Sequence, residues 1–257
     1  MEGLTSLLAQ LPGYFIFLFR IIGVIFSAPV FSSRSVPVPV RIFFSLLLST
    51  MVFLVLAPSE EYNLDLGFIF LLISEFLVGI VIGFVANLLF SAIQLAGQSI
   101  DMQMCFGIVN VMDPQTGLQV PLMGTFQNLL AILVYLSING HHQLIEALFL
   151  SYKIVPVNGL IIKGALIEFL IQVTANMFVI ALKLAAPLVG ALFITDFVMG
   201  IIARTVPQMN VFLVGMPAKI LIGFLLMFLI LPFYIYLLNA LFEGSLQDIF
   251  RGLRVLA

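Results

Sequence analysis

Four charged side chains stand inside long apolar runs of the sequence, where ionisable groups are rare: Arg20, Glu75, Lys183 and Asp196. In a membrane such groups face protein or water, because lipid does not solvate a charge. They could act as the intramembrane coupling groups of a secondary transporter for ions or small solutes. Arg20 could equally be an arginine that packs one helix against others, and the sequence leaves both interpretations open.

Other residues that could do chemistry are sparse. His142 and Glu146 stand four residues apart, which places them on one face of a helix and supplies one ingredient of a metal site. Cys105 is the only cysteine, so an internal disulfide is excluded and a cysteine-bound zinc is not indicated. The sequence has no nucleophile elbow, HExxH motif or phosphate loop. We therefore predict that the protein is not an enzyme and uses neither a metal nor another cofactor.

Residues 97–121 form the longest interruption of hydrophobicity in the first half of the chain. Glycines and polar side chains flank a soft apolar middle, which includes Met102, Met104, Phe106, Val109 and Met112. Irregular backbone of this kind is tolerated at membrane depth only where protein buries it or where it lines a cavity. We therefore expect this stretch to face protein or an internal space.

The composition indicates an integral membrane protein. Hydrophobic residues make up 63% of the chain and charged residues 9%, whereas a soluble domain has about 25% charged residues. The net charge is −2 and no basic block occurs, so nothing indicates binding to nucleic acid. No lysine or arginine precedes the first apolar run, and we therefore expect no cleaved signal peptide.

The apolar runs predict an all-α, membrane-associated fold of long kinked helices and helical hairpins. They cover residues 11–31, 42–57, 67–97, 122–138, 164–203 and 220–241. Two prolines in the connector 32–41 predict a rigid, non-helical link, and Pro187 is expected to kink or divide the fifth run. Residues 243–257 are expected to form a separate amphipathic piece. The charges of the first two connectors favour an external N-terminus.

One side of the third run carries small or polar residues at helical spacing, beginning with Glu75, Gly79, Gly83 and Asn87 and leading to Asp101. The mean spacing of about 3.7 residues is slightly above the helical repeat and favours a right-handed wrap. Small residues four apart let a second helix approach closely. This packing seam could face another helix of the chain or another subunit. We assign further residues to subunit packing: Lys183, Arg204, Pro207, Gln208, Asn210 and Lys219.

These landmarks, taken in order along the chain, resemble the FliR family of flagellar biosynthesis proteins, the R-type export-gate subunits whose injectisome counterparts are called T-type. The resemblance is carried by Val36-Pro37, Glu75 with Gly79 and Gly83, Gly97-Gln98, Asp113-Pro114, Asn139-Gly140-His141-His142, Ala186-Pro187, Asp196, and the block from Arg204 to Lys219.

The resemblance implies a pore-forming core subunit of the flagellar type III export gate. It would sit in the bacterial inner membrane within the flagellar basal body. Its partners would be P-type and Q-type subunits in a right-handed helical assembly, together with B-type and A-type export subunits and the unfolded substrates that pass through. Chains of this type resemble a P-like N-terminal part fused to a Q-like C-terminal part.

The resemblance also places a plug loop, which closes the channel at rest, at about residues 106–121. Its closing contacts and hinges are then expected among Met102, Met104, Cys105, Phe106, Gly107, Val109, Met112, Asp113, Pro114 and Gly117. Methionine suits a dry, deformable constriction because it is unbranched and repacks easily. The alternative is that the apolar members of this set only pack into the core of the subunit. The sequence departs from the family pattern at Cys105, where glycine is usual.

Overall fold

The computed structural model describes residues 2–33, 35–56, 65–106, 121–160, 164–206, 208 and 210–257, with backbone alone for residues 2–10, 211 and 212. Within these residues 88% are helical and none lies in a strand, which confirms the predicted all-α class. The helices are α1 (Glu2–Ser27), α2 (Val38–Leu56), α3 (Leu66–Gln103), α4 (Leu122–Ser137), α5 (Gly140–Ile154), α6 (Gly164–Thr205) and α7 (Val211–Leu256).

Helices of membrane-spanning length dominate this part of the chain. Four of them, α2, α3, α6 and α7, are long and apolar enough to cross a membrane, and α4 with α5 counts as a fifth if the pair forms one span. At about 1.5 Å per residue, a helix of 20 residues already matches a hydrocarbon core of about 30 Å. The 38 residues of α3, the 42 of α6 and the 46 of α7 exceed that length.

The prediction that the connector 32–41 is non-helical throughout is wrong at its end, because α2 begins at Val38. Pro39 is tolerated there, since the N–H groups of the first helical turn have no intrahelical partner to lose. The guanidinium of Arg41 turns back to the connector, where its Nε donates to the carbonyl of Val36 at 3.1 Å.

Pro187 does not divide the fifth run, and the C-terminal residues 243–257 do not form a separate piece. α6 continues through Pro187, and α7 continues through Pro217 and Pro232 to Leu256. A proline removes one backbone hydrogen bond of a helix. In long membrane-type helices, neighbouring groups and small local adjustments compensate for that loss, so a proline need not end the helix.

The third helix also runs further than its hydrophobicity indicates. α3 ends at Gln103, so residues 97–103 of the interrupted stretch are helical rather than irregular. Met104, Cys105 and Phe106 follow in a turn. Residues 107–120 lie outside the described residues, and Pro121 precedes α4.

The chain divides into two compact units. Unit 1 contains Met1–Leu88, Asn139–Val173 and Glu243–Ala257, and its core includes Ile21, Val24 and Leu148. Unit 2 contains Leu89–Ile138 and Thr174–Phe242. Its core includes three aromatic rings, those of Phe90, Tyr135 and Phe242, with centroids 5.2 to 5.6 Å apart.

Candidate functional site

A buried carboxylate in unit 2 joins the end of α3 to the start of α4. Asp101 is 6% exposed. Its Oδ1 accepts a hydrogen bond from the backbone N–H of Met123 at 2.9 Å, and its Oδ2 accepts one from Gly124 at 3.1 Å. The N-cap residue of α4 is Pro121, which has no side-chain cap, so Asp101 supplies the negative group that a helix N-terminus favours.

Two glycines allow this approach of α3 and α4. A Cβ built on Gly97 would overlap with the backbone of Gly124, so the helices meet at their main chains. Asp101 lies one helical turn beyond Gly97 and therefore points at the first turn of α4. The hydrogen bonds from Met123 and Gly124 to Asp101 therefore hold the two ends of the interrupted stretch, residues 97–121, close to each other.

A second polar cluster in unit 2 holds the last turn of α3 to α6 and α7. Gln103 donates from Nε2 to Oδ2 of Asp196 at 2.8 Å, and the other oxygen of Asp196 forms an ion pair with Lys219. The ammonium of Lys219 also lies 3.9 Å from the thiol sulfur of Cys105. Next to this cluster is a cavity of about 290 Å³, lined by Cys105, Asp196, Met199, Gly200, Gly215, Met216 and Lys219.

The described residues of the predicted plug differ in their surroundings. Met102 is 76% exposed, whereas Met104 is fully buried and its side chain fills the space above Gly223. The ring of Phe106 meets that of Phe224 edge to face, with centroids 6.1 Å apart. Six further predicted residues lie outside the described part of the chain: Gly107, Val109, Met112, Asp113, Pro114 and Gly117.

Cys105 adopts a backbone conformation that explains why glycine suits this position. Its φ is 64°, in the left-handed region. A side chain there costs roughly 1–2 kcal/mol, which glycine avoids. The cysteine therefore keeps the turn geometry that glycine would adopt freely, and its thiol contacts Lys219.

Unit 1 has its own buried polar centre around Arg20, which is 0% exposed. The Nε of Arg20 lies 2.6 Å from Oε2 of Glu75. The two terminal nitrogens donate to Oγ of Ser151 at 3.2 Å and to the carbonyl of Val155 at 3.0 Å. The guanidinium carbon also stands 4.2 Å from the ring centroid of Tyr152. This centre ties α1, α3 and α5 together and satisfies the charge of Arg20 within the protein.

The packing seam of α3 is filled at its start by α1 of the same chain. Besides the pair of Glu75 with Arg20, a Cβ on Gly79 would overlap with the carbonyl of Arg20, and one on Gly83 would overlap with Ser27. The other predicted packing residues lie elsewhere. Pro207 is outside the described residues, Lys219 belongs to the Asp196 cluster, and the rest are exposed: Asn87, Lys183, Arg204, Gln208 and Asn210.

The histidine pair shows no metal-site geometry. The rings of His141 and His142 lie at the start of α5 with centroids 4.1 Å apart and planes tilted by 37°. In the part of the chain that the structure describes, no three His, Cys, Asp or Glu side chains come together as metal ligands would.

Sequence reasoning named the charged members of these centres but missed their neutral partners. Gln103, Ser151 and Tyr152 carry no signal of spacing or motif, because they meet their partners 93, 131 and 132 positions away in the chain. The sequence places Asp101 at the end of the packing seam but does not predict that it caps α4. That role arises because the N-cap residue is Pro121, whose side chain cannot accept a hydrogen bond.

Comparison with known proteins gives a consistent result over most of the chain. Residues 11–245 match the family described as "Bacterial export proteins, family 1". The chain is 34% identical over 247 residues to the flagellar biosynthetic protein FliR of Bacillus subtilis, with 95% of each chain covered. It is 31% identical to the protein of the same name from Escherichia coli, with 93% of each covered. The corresponding protein of Aquifex aeolicus is 29% identical, over 91% of this chain and 89% of its own.

Proposed function

The chain belongs to the family of bacterial export proteins, family 1, and from this membership we propose that it is a core subunit of the flagellar type III protein-export gate in the bacterial inner membrane. The relatives from Bacillus subtilis and Escherichia coli are flagellar biosynthetic proteins by name. Four helices long and apolar enough to cross a membrane support the location. The proposed role is passage of polypeptide, without catalysis.

The proposed partners are P-type and Q-type gate subunits in a right-handed helical assembly in the flagellar basal body, with B-type and A-type export subunits beside them. On this proposal the chain joins a P-like N-terminal part to a Q-like C-terminal part. Large apolar side chains that the chain leaves uncovered support the need for partners. Leu182 is 71% exposed and Phe228 is 78% exposed, for example, and such surface is covered by lipid or by another protein.

Within this function we assign residues 106–121, the second part of the interrupted stretch 97–121, to the plug that closes the channel at rest. The observation that carries the assignment is the pair of hydrogen bonds from Met123 and Gly124 to Asp101. They tie the beginning of the stretch to the helix that follows it. A plug tethered at both ends can move aside for a passing chain and return to the same place. Its methionines suit a dry constriction, since hydrophobic constrictions can close by losing their water.

The alternative of a secondary transporter is not favoured. Three of its four candidate coupling groups are satisfied within the chain, because Arg20 pairs with Glu75 and Asp196 pairs with Lys219. A coupling group must exchange its ion or proton with water during the cycle. Within the described residues, the side chains of Arg20 and Glu75 are at most 2% exposed, which does not suit such an exchange.

The plug is tested by its effect on the permeability barrier. Cells that produce the chain without residues 107–119 are expected to take up small dyes and to lose membrane potential, because the channel no longer closes. Asp101→Ala should cause a smaller leak, since it releases one tether but keeps the stretch. Ser99→Ala is the matched control, because the Ser99 hydroxyl donates a hydrogen bond to the carbonyl of Leu95 in its own helix at 3.0 Å and, among the described residues, to no other helix.

The assembly of each variant with its partners is measured in parallel, so that a leak is assigned to an open gate rather than to a misfolded chain. An intact barrier in cells whose deletion variant assembles normally would refute the plug assignment. The export function would stand in that case, since it is tested separately by swimming and by secretion of flagellar proteins.

A further inference from the structure

Gln127 is a buried amide in unit 2 that makes no use of its hydrogen-bonding atoms within the described chain. It lies on α4 and is 0% exposed. Neither its Nε2 nor its Oε1 has a hydrogen-bond partner among the described residues. An amide buried in this way gives up its hydrogen bonds to water and gains none in return, which is unfavourable. Buried amides are therefore nearly always paired with protein or with an ordered water.

Tyr234 of α7 is a second polar side chain of unit 2 in the same condition. It is 2% exposed, and its hydroxyl oxygen has no hydrogen-bond partner among the described residues. A phenol hydroxyl can both donate and accept a hydrogen bond. The two helices α4 and α7 thus each bury one polar side chain whose bonding capacity is unused.

An apolar cavity of about 270 Å³ lies next to both side chains. Its lining consists of Met123 and Phe126 of α4 and of Phe224, Met227, Phe228 and Leu231 of α7. Met123 stands one helical turn before Gln127, and Leu231 stands three residues before Tyr234. Both polar groups therefore lie at the end of the cavity, which supplies room beside them.

The contacts between α4 and α7 place Gln127 and Tyr234 at one level. The rings of Tyr135 and Phe242 have centroids 5.2 Å apart, and the cavity precedes both rings, so the two helices run in the same direction. Gln127 stands eight residues before Tyr135, and Tyr234 stands eight residues before Phe242. At about 1.5 Å per residue, both polar groups lie about 12 Å from the ring pair. The equal spacing also turns them by the same angle about their helix axes.

We propose that a water molecule binds between Gln127 and Tyr234 and bridges α4 to α7. A buried water makes about three hydrogen bonds to groups that are otherwise unsatisfied. The site offers three such atoms, the Nε2 and Oε1 of Gln127 and the hydroxyl of Tyr234. Water can accept from the amide and donate to both oxygens. Gln127 is fully enclosed within the described chain, which suits one water better than a lipid headgroup or a side chain of another subunit.

The first test is a density map of the chain assembled with its partners, at a resolution that shows ordered water. A peak is expected at about 2.7–3.2 Å from the amide of Gln127 and from the hydroxyl oxygen of Tyr234. A direct hydrogen bond from the Gln127 amide to a protein group would overturn the inference. So would a site without density in a map that shows other buried waters. The proposed export function is unaffected by either result.

The second test is the thermal stability of the same complex after Gln127→Met, which keeps an unbranched side chain of similar length. If the water is bound, the substitution removes its hydrogen bonds, leaves Tyr234 unsatisfied and should lower the melting temperature by about 3 °C or more. A higher melting temperature would overturn the inference, because it is the result expected when two unpaired polar atoms leave the core. Gln94→Met is the matched control, since Gln94 is exposed on α3.

A double substitution shows whether the two side chains share one water. Tyr234→Phe removes only the hydroxyl. Combined with Gln127→Met, it should lower the melting temperature by less than the sum of the two single effects, since each removes the same bridge. Additive effects would overturn the inference. Tyr236→Phe is the matched control, because Tyr236 is 72% exposed on the same helix. If Gln127→Met fails to assemble, the density map of the unchanged complex still decides.

Discussion

The pair of Arg20 and Glu75 shows how a single residue can hold three helices together in this protein. The guanidinium uses its directional donors on Glu75, Ser151 and the carbonyl of Val155, while its flat face lies over Tyr152. Lysine would present a single ammonium and could not match this geometry. Both charges are almost fully buried. Removing either side chain alone would leave the other charge buried without a counter-ion, which strongly destabilises the fold.

Replacing Glu75 with leucine is therefore expected to destabilise the chain by about 3–5 kcal/mol, since it leaves the Arg20 charge buried without its counter-ion. Substituting both residues, Arg20→Met with Glu75→Leu, should recover much of that loss. The measurement is the unfolding of the detergent-solubilised chain with its partners, together with its steady-state level in membranes. A double variant no more stable than the single one would contradict the ion-pair explanation.

At the scale of elements, the close contact of α1 with α3 depends on glycines. Gly23 and Gly79 face each other, and a Cβ on Gly79 would overlap with the backbone carbonyl of Arg20. Backbone atoms cannot move aside as a flexible side chain can. The contact also sets the depth at which Arg20 and Glu75 meet, so helix spacing and ion pairing depend on each other.

Gly79→Ala is accordingly expected to cost about 1–3 kcal/mol, although alanine is the better helix former. Gly67→Ala is the matched control on the same helix, because no described residue lies within 4 Å of a Cβ at that position. It should leave stability unchanged or raise it slightly. The melting temperatures of the Gly79→Ala and Gly67→Ala variants are measured in detergent. Their difference separates the effect of steric overlap with α1 from the effect of helix propensity. Equal effects of both substitutions would argue against a tight contact between α1 and α3.

The sequence predicts the helical class and the approximate centres of these elements, but it does not predict their ends. The hydrophobic run predicts α3 but ends at residue 97, whereas the helix ends at Gln103. The additional residues include Asp101 and Gln103, which are polar because they form hydrogen bonds with other helices. The expectation that Pro187 could divide its run is wrong for the opposite reason, since rules drawn from helices in water overestimate how often a proline ends a membrane-type helix. Partners such as Tyr152 become visible only when the chain is folded.

At the scale of the whole molecule, each unit has a buried polar centre, while the exposed surface remains unusually apolar. In unit 1 the centre is Arg20 and in unit 2 it is Asp101, whereas the Asp196 cluster of unit 2 is partly exposed. Outside these centres, Phe43 is 67% exposed, Phe197 is 68% exposed and Tyr236 is 72% exposed. Internal contacts thus fix the fold locally and leave large faces for other molecules to cover.

This distribution predicts how the chain behaves when it is made without its partners. Produced alone, it should accumulate to much lower levels and aggregate after extraction, because its large exposed apolar faces then lack the subunits that would cover them. Produced with P-type and Q-type subunits, it should elute as one complex in size-exclusion chromatography. The same detergent and the same tag in both preparations provide the control. A chain that is monodisperse alone and moves a small solute into vesicles would contradict the export-gate function and support a transporter instead.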